Sequence, residues 1–134
     1  MKIRKKNKGV VFLIVVFAIA LLTTITVGIL VMTTEELQLM QNQLYAAQAM
    51  CTAEAGLNAA FAQIRSSSSW TTGFNNTSFN GGSYTVTVTG TLPNRTVTST
   101  GTSSQGYMAR MAADITISAS SSYKIRIDHL RINE

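Results

Sequence analysis

Val10-Val11-Phe12-Leu13-Ile14-Val15-Val16-Phe17-Ala18-Ile19-Ala20-Leu21-Leu22-Thr23-Thr24-Ile25-Thr26-Val27-Gly28-Ile29-Leu30-Val31-Met32 is a run of 23 residues without a charge or a proline and with a single glycine. A helix needs about 20 residues to cross the ~30 Å hydrocarbon core of a bilayer. Sixteen of the 23 are Val, Ile, Leu or Phe. At roughly −0.3 to −0.6 kcal/mol each, they total on the order of −5 to −10 kcal/mol towards insertion. A core helix this long and apolar all round would need far more protein around it than 134 residues provide. The run is a membrane-inserting segment.

Outward from it, the charge is sharply divided. Lys2, Arg4, Lys5, Lys6 and Lys8 hold five of the eleven basic residues, all ahead of Gly9. Beyond Val10, Arg65, Arg95, Arg110, Lys124, Arg126 and Arg131 face Glu35, Glu36, Glu54, Asp114, Asp128 and Glu134, six against six. The net charge of +5 therefore belongs to the leader, and no basic stripe is left for a nucleic acid. Under the positive-inside rule the leader stays cytoplasmic and the rest crosses. The apolar run is longer than a secretory signal's and no small-residue cleavage site follows it, so processing is expected before the run or not at all.

After Met32 the helical pattern continues without a proline as far as Arg65. Apolar or small residues recur at Leu37, Met40, Leu44, Ala47 and Cys51, and again at Met50, Ala53, Leu57, Ala60 or Phe61, and Ile64. Gln38, Gln41, Gln43, Gln48, Thr52, Asn58 and Gln63 occupy the other face. The reading is one helix over Val10–Arg65, about 84 Å long at ~1.5 Å per residue. Gly28 and Gly56 are its expected weak points. Cys51 is the only cysteine, so it forms no disulfide within the chain, and it is expected as a small buried residue.

Ser66-Ser67-Ser68-Ser69 ends the helix, and a polar connection through Trp70, Gly73, Asn75, Asn76 and Asn80 follows. The period then changes to two. Tyr84, Val86 and Val88 alternate with threonines up to the turn Leu92-Pro93-Asn94, and Thr96–Thr102 forms a Thr-rich strand. Tyr107, Ala109, Met111, Ala113, Ile115 and Ile117 alternate with Met108, Arg110, Ala112, Asp114, Thr116 and Ser118. A last strand starts with Tyr123, Ile125 and Ile127, then changes phase to Leu130 and Ile132, which calls for a bulge near His129. The expected fold is α+β. A small antiparallel meander of about four strands packs its apolar face on the amphipathic half of the helix. The chain divides into a leader at 1–9, a transmembrane half-helix at 10–32, an amphipathic half-helix at 33–65 and a Ser/Thr-rich β body at 66–134.

Chemistry is sparse. His129 is the only histidine and reads as a surface residue, and one Cys with one His makes no zinc set. Asp114 and Asp128 read as solvated carboxylates. Asn75, Asn76 and Asn94 open N-glycosylation triplets of a kind common in Thr-rich loops. No nucleophile–base set, P-loop or dinucleotide fingerprint is present, so no enzymatic activity and no cofactor are expected.

The lysine-rich leader, Gly9 at its end, the immediate apolar run and the unbroken helix resemble the class III signal sequences of type IV pilin-like proteins. Thr33-Thr34-Glu35-Glu36-Leu37, Met40, Asn42 and Gln48-Ala49, leading to Ala53-Glu54-Ala55-Gly56-Leu57, resemble the N-terminal module of PilX-type minor pilins. The likeness covers roughly residues 4 to 65. It implies cleavage by a prepilin peptidase between Gly9 and Val10, then N-methylation of Val10. It also implies a single-pass protein of the cytoplasmic (inner) membrane whose β body lies outside the cytoplasm until it enters a pilus. The implied partners are other major and minor pilins, the peptidase and an inner-membrane assembly platform. Two positions depart from the usual pattern. Val10 replaces the customary Phe, and Ile14, fifth after the cut, replaces the Glu that major pilins carry to pair with a neighbour's N-terminal amine. The neutral Ile14 points to a minor, priming or tip component. A type II secretion pseudopilin fits the same residues. An anchored extracytoplasmic ligand-binding domain is the alternative of another class, and it predicts that residues 1–9 are kept.

Overall fold

The computed structural model describes residues 7–120 and 123–132. Lys2, Arg4, Lys5 and Lys6 of the leader lie outside them, as do Glu134 and Met1. One helix, α1 (Asn7–Ser66), is followed by five strands: β1 (Phe74–Phe79), β2 (Gly82–Thr91), β3 (Asn94–Thr102), β4 (Met108–Ile117) and β5 (Ile125–Ile132). The strands form one antiparallel sheet in sequence order, β1-β2-β3-β4-β5. The fold is α+β with an antiparallel meander, as the periodicities lead one to expect, and among the described residues the sheet has five strands where about four were expected.

The extra strand is β1, in the stretch expected to be a polar connection. Its residues, Phe-Asn-Asn-Thr-Ser-Phe, show no alternation because a bulge separates Phe74 from Thr77 and sets Asn76 at φ 45°. A two-residue turn, Asn80-Gly81, joins it to β2, with φ 47° and 79°. Positive φ at both central residues is what a hairpin turn matched to strand twist demands, and Asn-Gly meets that demand at little cost.

By contact density the chain forms two units, residues 1–41 and 42–134. The described residues of the first, 7–41, are all helical. In the second, the part of α1 from Asn42 onward packs on the sheet. Ala49, Ala53, Leu57, Ala60 and Ile64 are buried, spaced by four, four, three and four along the helix. They meet Tyr84 and Val86 of β2, Val97 and Ser99 of β3, and Ala109, Met111, Ala113, Ile115 and Ile117 of β4, all buried. Alternate residues of each strand thus point at the helix, and the threonines between them point away.

Two glycines set how closely helix and sheet approach. A Cβ on Gly101 would lie 2.9 Å from Ala53 Cα and closer still to the Ala49 carbonyl oxygen and the Ala53 nitrogen. A Cβ on Gly56 would lie 2.8 Å from the Tyr84 ring. Gly56 is therefore a site of close packing, not the weak point the sequence suggests, and α1 runs through it unbroken.

The same packing corrects the reading of Cys51, which is exposed. The helix has two stripes of small and apolar residues, and the sheet covers the one that contains Ala49 and Ala53. The other, containing Leu44, Ala47 and Cys51, is left uncovered by it.

Candidate functional site

The residues singled out for processing and assembly all lie in the first unit. Gly9 and Val10 are both helical, because α1 begins at Asn7. Val10 and Ile14 are 59% and 58% exposed, and no protein atom outside the glycine's local surroundings comes within 4 Å of a Cβ placed on Gly9. Every large apolar residue from Val10 to Met32 is exposed. The most apolar 18-residue window of this helix has a mean hydropathy of 2.9, and none of it is buried. So much uncovered apolar surface cannot face water stably at ~25 cal/mol per Å². The segment needs lipid or other apolar helices around it.

Its polar side chains are prepared for such surroundings. Thr23 Oγ1 donates to the Ile19 carbonyl at 2.7 Å, Thr24 to Leu21 at 2.8 Å and Thr26 to Leu22 at 2.8 Å. Thr33 and Thr34 do the same to Ile29 and Leu30, at 2.9 and 2.8 Å. Each hydroxyl finds its acceptor within its own helix, so burying these threonines in lipid or protein strands no donor.

In the second unit the loops at one end of the sheet hold the helix through side chains. Gln48 Nε2 donates to the Asn80 carbonyl at 3.0 Å, and Gln48 Oε1 accepts from the Ser104 nitrogen and hydroxyl at 3.4 and 3.2 Å. Tyr107 stacks on Tyr45 with ring centroids 5.9 Å apart, and its hydroxyl donates to Asn42 Oδ1. An open groove of about 490 Å³ lies beside Gln48, lined by Leu44, Ala47, Cys51 and Phe79.

At the other end, Arg95 is a residue the sequence reading passes over. It is buried to 7% exposure in an inward-facing position of β3, donates to the Trp70 carbonyl at 2.7 Å, and leaves its Nε without a partner. Trp70 follows the C-terminal end of α1, where unpaired carbonyls make the surroundings negative, which offsets part of the cost of a buried guanidinium.

Two carboxylates of the outer face are held in ion pairs. Asp114 accepts from Thr96 at 2.7 Å and from Arg131 at 3.1 and 3.2 Å. Asp128 accepts from Thr116 and, at 2.7 Å, from Arg126. The Thr116 hydroxyl bond is the main cause that holds the Asp128 carboxyl below its ordinary range; desolvation opposes the shift and Arg126 adds to it. His129 is exposed and lies opposite Asp114 in the β4–β5 ladder. Among the described residues no three His, Cys, Asp or Glu come together in a way that could hold a metal. Asn75, Asn76 and Asn94, the three glycosylation-triplet asparagines, are exposed.

A long N-terminal helix, apolar in its first part and packed on an antiparallel sheet in its later part, is the general architecture of pilin-like proteins. It also suits a single-pass membrane anchor. No family model matches the chain, and neither a curated protein nor a solved structure matches it.

Proposed function

We propose that this chain is a minor subunit of a type IV pilin-like fibre, of PilX type. One observation carries the reading: a continuous helix passes from an uncovered, uncharged and mainly apolar segment beginning at Gly9 into a segment buried against a sheet. Such a helix has two stable homes, a bilayer and a bundle of like helices. Transfer between them costs little, because lipid tails and apolar side chains are similar surroundings and packing decides the balance.

In this reading a prepilin peptidase cuts between Gly9 and Val10. The bond lies in the first turns of α1, where helix ends fray readily, and Gly9 favours the local opening a protease needs. Val10 then carries the new amine, which becomes N-methylated. Major and minor pilins and an inner-membrane assembly platform are the partners. Ile14 assigns the minor role. A bare ammonium in an apolar bundle is costly unless paired, and Ile14 has no carboxylate to offer a neighbour's terminus.

Intact mass of the chain extracted from membranes of a host that expresses the peptidase tests the proposal. Loss of residues 1–9 is expected in the parent chain, with retention in a Gly9→Trp variant. A parent chain that keeps residues 1–9, or a Gly9→Trp chain cut normally, overturns it.

A further inference from the structure

One flank of α1 overhangs an uncovered part of the sheet. Gly56 lies against Tyr84 of β2 and Ser99 of β3, so α1 runs over β3 and this side of it leans towards β2. The opposite side, towards β5, carries Met50, Glu54, Phe61 and Arg65, spaced by four, seven and four residues. On the inner face of β5, Ile127, Leu130 and Ile132 are 49%, 50% and 46% exposed, although their β4 partners Ile115, Ala113 and Met111 are buried. β5 stands two strands from β3, about 10 Å at ~4.8 Å per strand. Packed helices lie ~8–10 Å apart. A second helix laid along this side of α1 therefore comes to rest over the β5 row.

The charges identify the helix and its height. Glu54 and Arg65 are exposed, and among the described residues neither has an ion-pair partner. They are eleven residues apart, about three turns, so they share one face and stand about 16 Å apart along the axis at ~1.5 Å per residue. Two parallel copies at equal height set Glu54 against Glu54 and Arg65 against Arg65. Raising one copy by about three turns sets its Glu54 against the Arg65 of the other, whose own Glu54 comes level with an uncharged Gln43. The same shift matches the apolar rows. Ser99, level with Gly56, pairs through Met111 with Ile132, and Val97 and Arg95 lead likewise to Leu130 and Ile127. At ~3.3 Å per strand residue the row spans roughly the height of residues 56–65 of α1. In the raised copy that height holds roughly residues 45–54, beside its uncovered stripe of Leu44, Ala47 and Cys51. Leu44 and Cys51 lie about 60–80° round the helix from Glu54, at ~3.6 residues per turn. With Glu54 aimed at Arg65, both point down at the β5 row.

We propose that the β5 row receives α1 of a second copy of this chain, parallel to the first and raised by about three turns. The partner's Glu54 meets Arg65, the partner's Leu44 covers Ile132, and the partner's Cys51 lies between Leu130 and Ile127. The contact is heterologous, made by different surfaces of the two copies. An exposed ion pair adds little affinity. Apolar burial holds the copies together, and the charges select the height, because the unshifted pair sets like charges side by side. This pairing depends on the fibre reading above: a bilayer holds both apolar segments at one depth, and assembly is what staggers them. A staggered pair is also what a priming subunit has to supply.

Cross-linking of full-length chains in a host that expresses the peptidase tests this. The parent, with its Cys51, is co-expressed with a differently tagged Cys51→Ala, Leu130→Cys chain, and cells are treated with a short bis-maleimide. A mixed dimer is expected, at least tenfold above that with a Cys51→Ala, Thr98→Cys chain, whose cysteine lies on the outer face of the sheet. Glu54→Arg or Arg65→Glu, placed in both chains, is expected to lower the yield at least threefold. The two together are expected to restore it, because the charges then pair the other way round. Equal yields from the two cysteine positions, or a double variant no better than the single ones, overturn the proposal. Intact mass of the same sample reads the loss of residues 1–9. A cleaved chain without the mixed dimer, as another subunit seated on the β5 row would give, refutes the pairing alone; an uncleaved chain refutes the fibre reading and the pairing with it.

Discussion

Gly101→Ala tests the packing that joins helix to sheet. Gly101 lies in β3 beneath Ala49 and Ala53, and a methyl group there would come 2.9 Å from Ala53 Cα and nearer to two backbone atoms of α1. The obstacle is backbone, which no rotamer change can move aside. The helix has to rise by something near 0.5–1 Å, and a gap of that size forfeits about a quarter to a half of each van der Waals contact across it. Ala49, Ala53, Leu57, Ala60 and Ile64 all make such contacts. Overpacking typically costs about 1–3 kcal/mol, and a clash with helix backbone belongs at the top of that range, near 3 kcal/mol. For a body the size of residues 42–134 this lowers the melting temperature by about 12–24 °C, at ~4–8 °C per kcal/mol. Trp70 is the only tryptophan and packs against the core, so its fluorescence reports unfolding of this unit. Gly28→Ala is the contrast: it meets nothing within 4 Å and strengthens the helix by about 0.5–1 kcal/mol. A Gly101→Ala chain within 0.5 kcal/mol of the parent would refute the close-approach reasoning.

Three further outcomes follow from other parts of the chain. Gln48→Ala removes the bonds to Asn80 and Ser104; at about 1–2 kcal/mol for this partly exposed set, amide exchange at Ser104 should quicken by roughly 5–30-fold, and unchanged exchange would count against the clamp. The Asp128 carboxyl should titrate below its ordinary 3.8 by NMR, because Thr116 and then Arg126 favour the charged form. A depressed folded value means that its stabilising effect is present above the unfolded pKa and disappears as pH falls through the folded one. The stability difference between the parent and Asp128→Asn should therefore vanish in acid, and a midpoint at or above 3.8 would contradict the assignment. Ile14→Glu supplies the carboxylate that the proposed minor role lacks. Near the helix start its insertion cost should stay under the ~2.5–3.5 kcal/mol of a central charge, and the variant's content in sheared fibres, measured by immunoblot, should rise. An equal or lower content would remove the argument built on Ile14.

Which parts of this structure were legible in the residues depends on how local the physics is. The helix from Val10 to Arg65 was readable because nothing in it opposes helix and its apolar spacing is periodic, so each turn repeats the signal. The bulge in β5 was readable for a similar reason: Ile125 and Ile127 set one phase, Leu130 and Ile132 the other, and only an extra residue reconciles them. β1 hid because its own bulge destroys the alternation on which a strand is recognised, although Asn80-Gly81 marked the hairpin that makes it a strand. The side of the helix that meets the sheet was not local information at all. Between Ala46 and Ala62 small residues occur on every face of the helix, so composition does not select one. What selects it is Gly101, some fifty residues away, which admits the Ala49–Ala53 backbone and so turns Cys51 outward. The same logic separates the two kinds of exposed apolar surface. Val10–Met32 is exposed along its whole circumference and calls for surroundings of any apolar kind. The β5 row is exposed along one line at the edge of the sheet, on the strand farthest from the helix-covered centre.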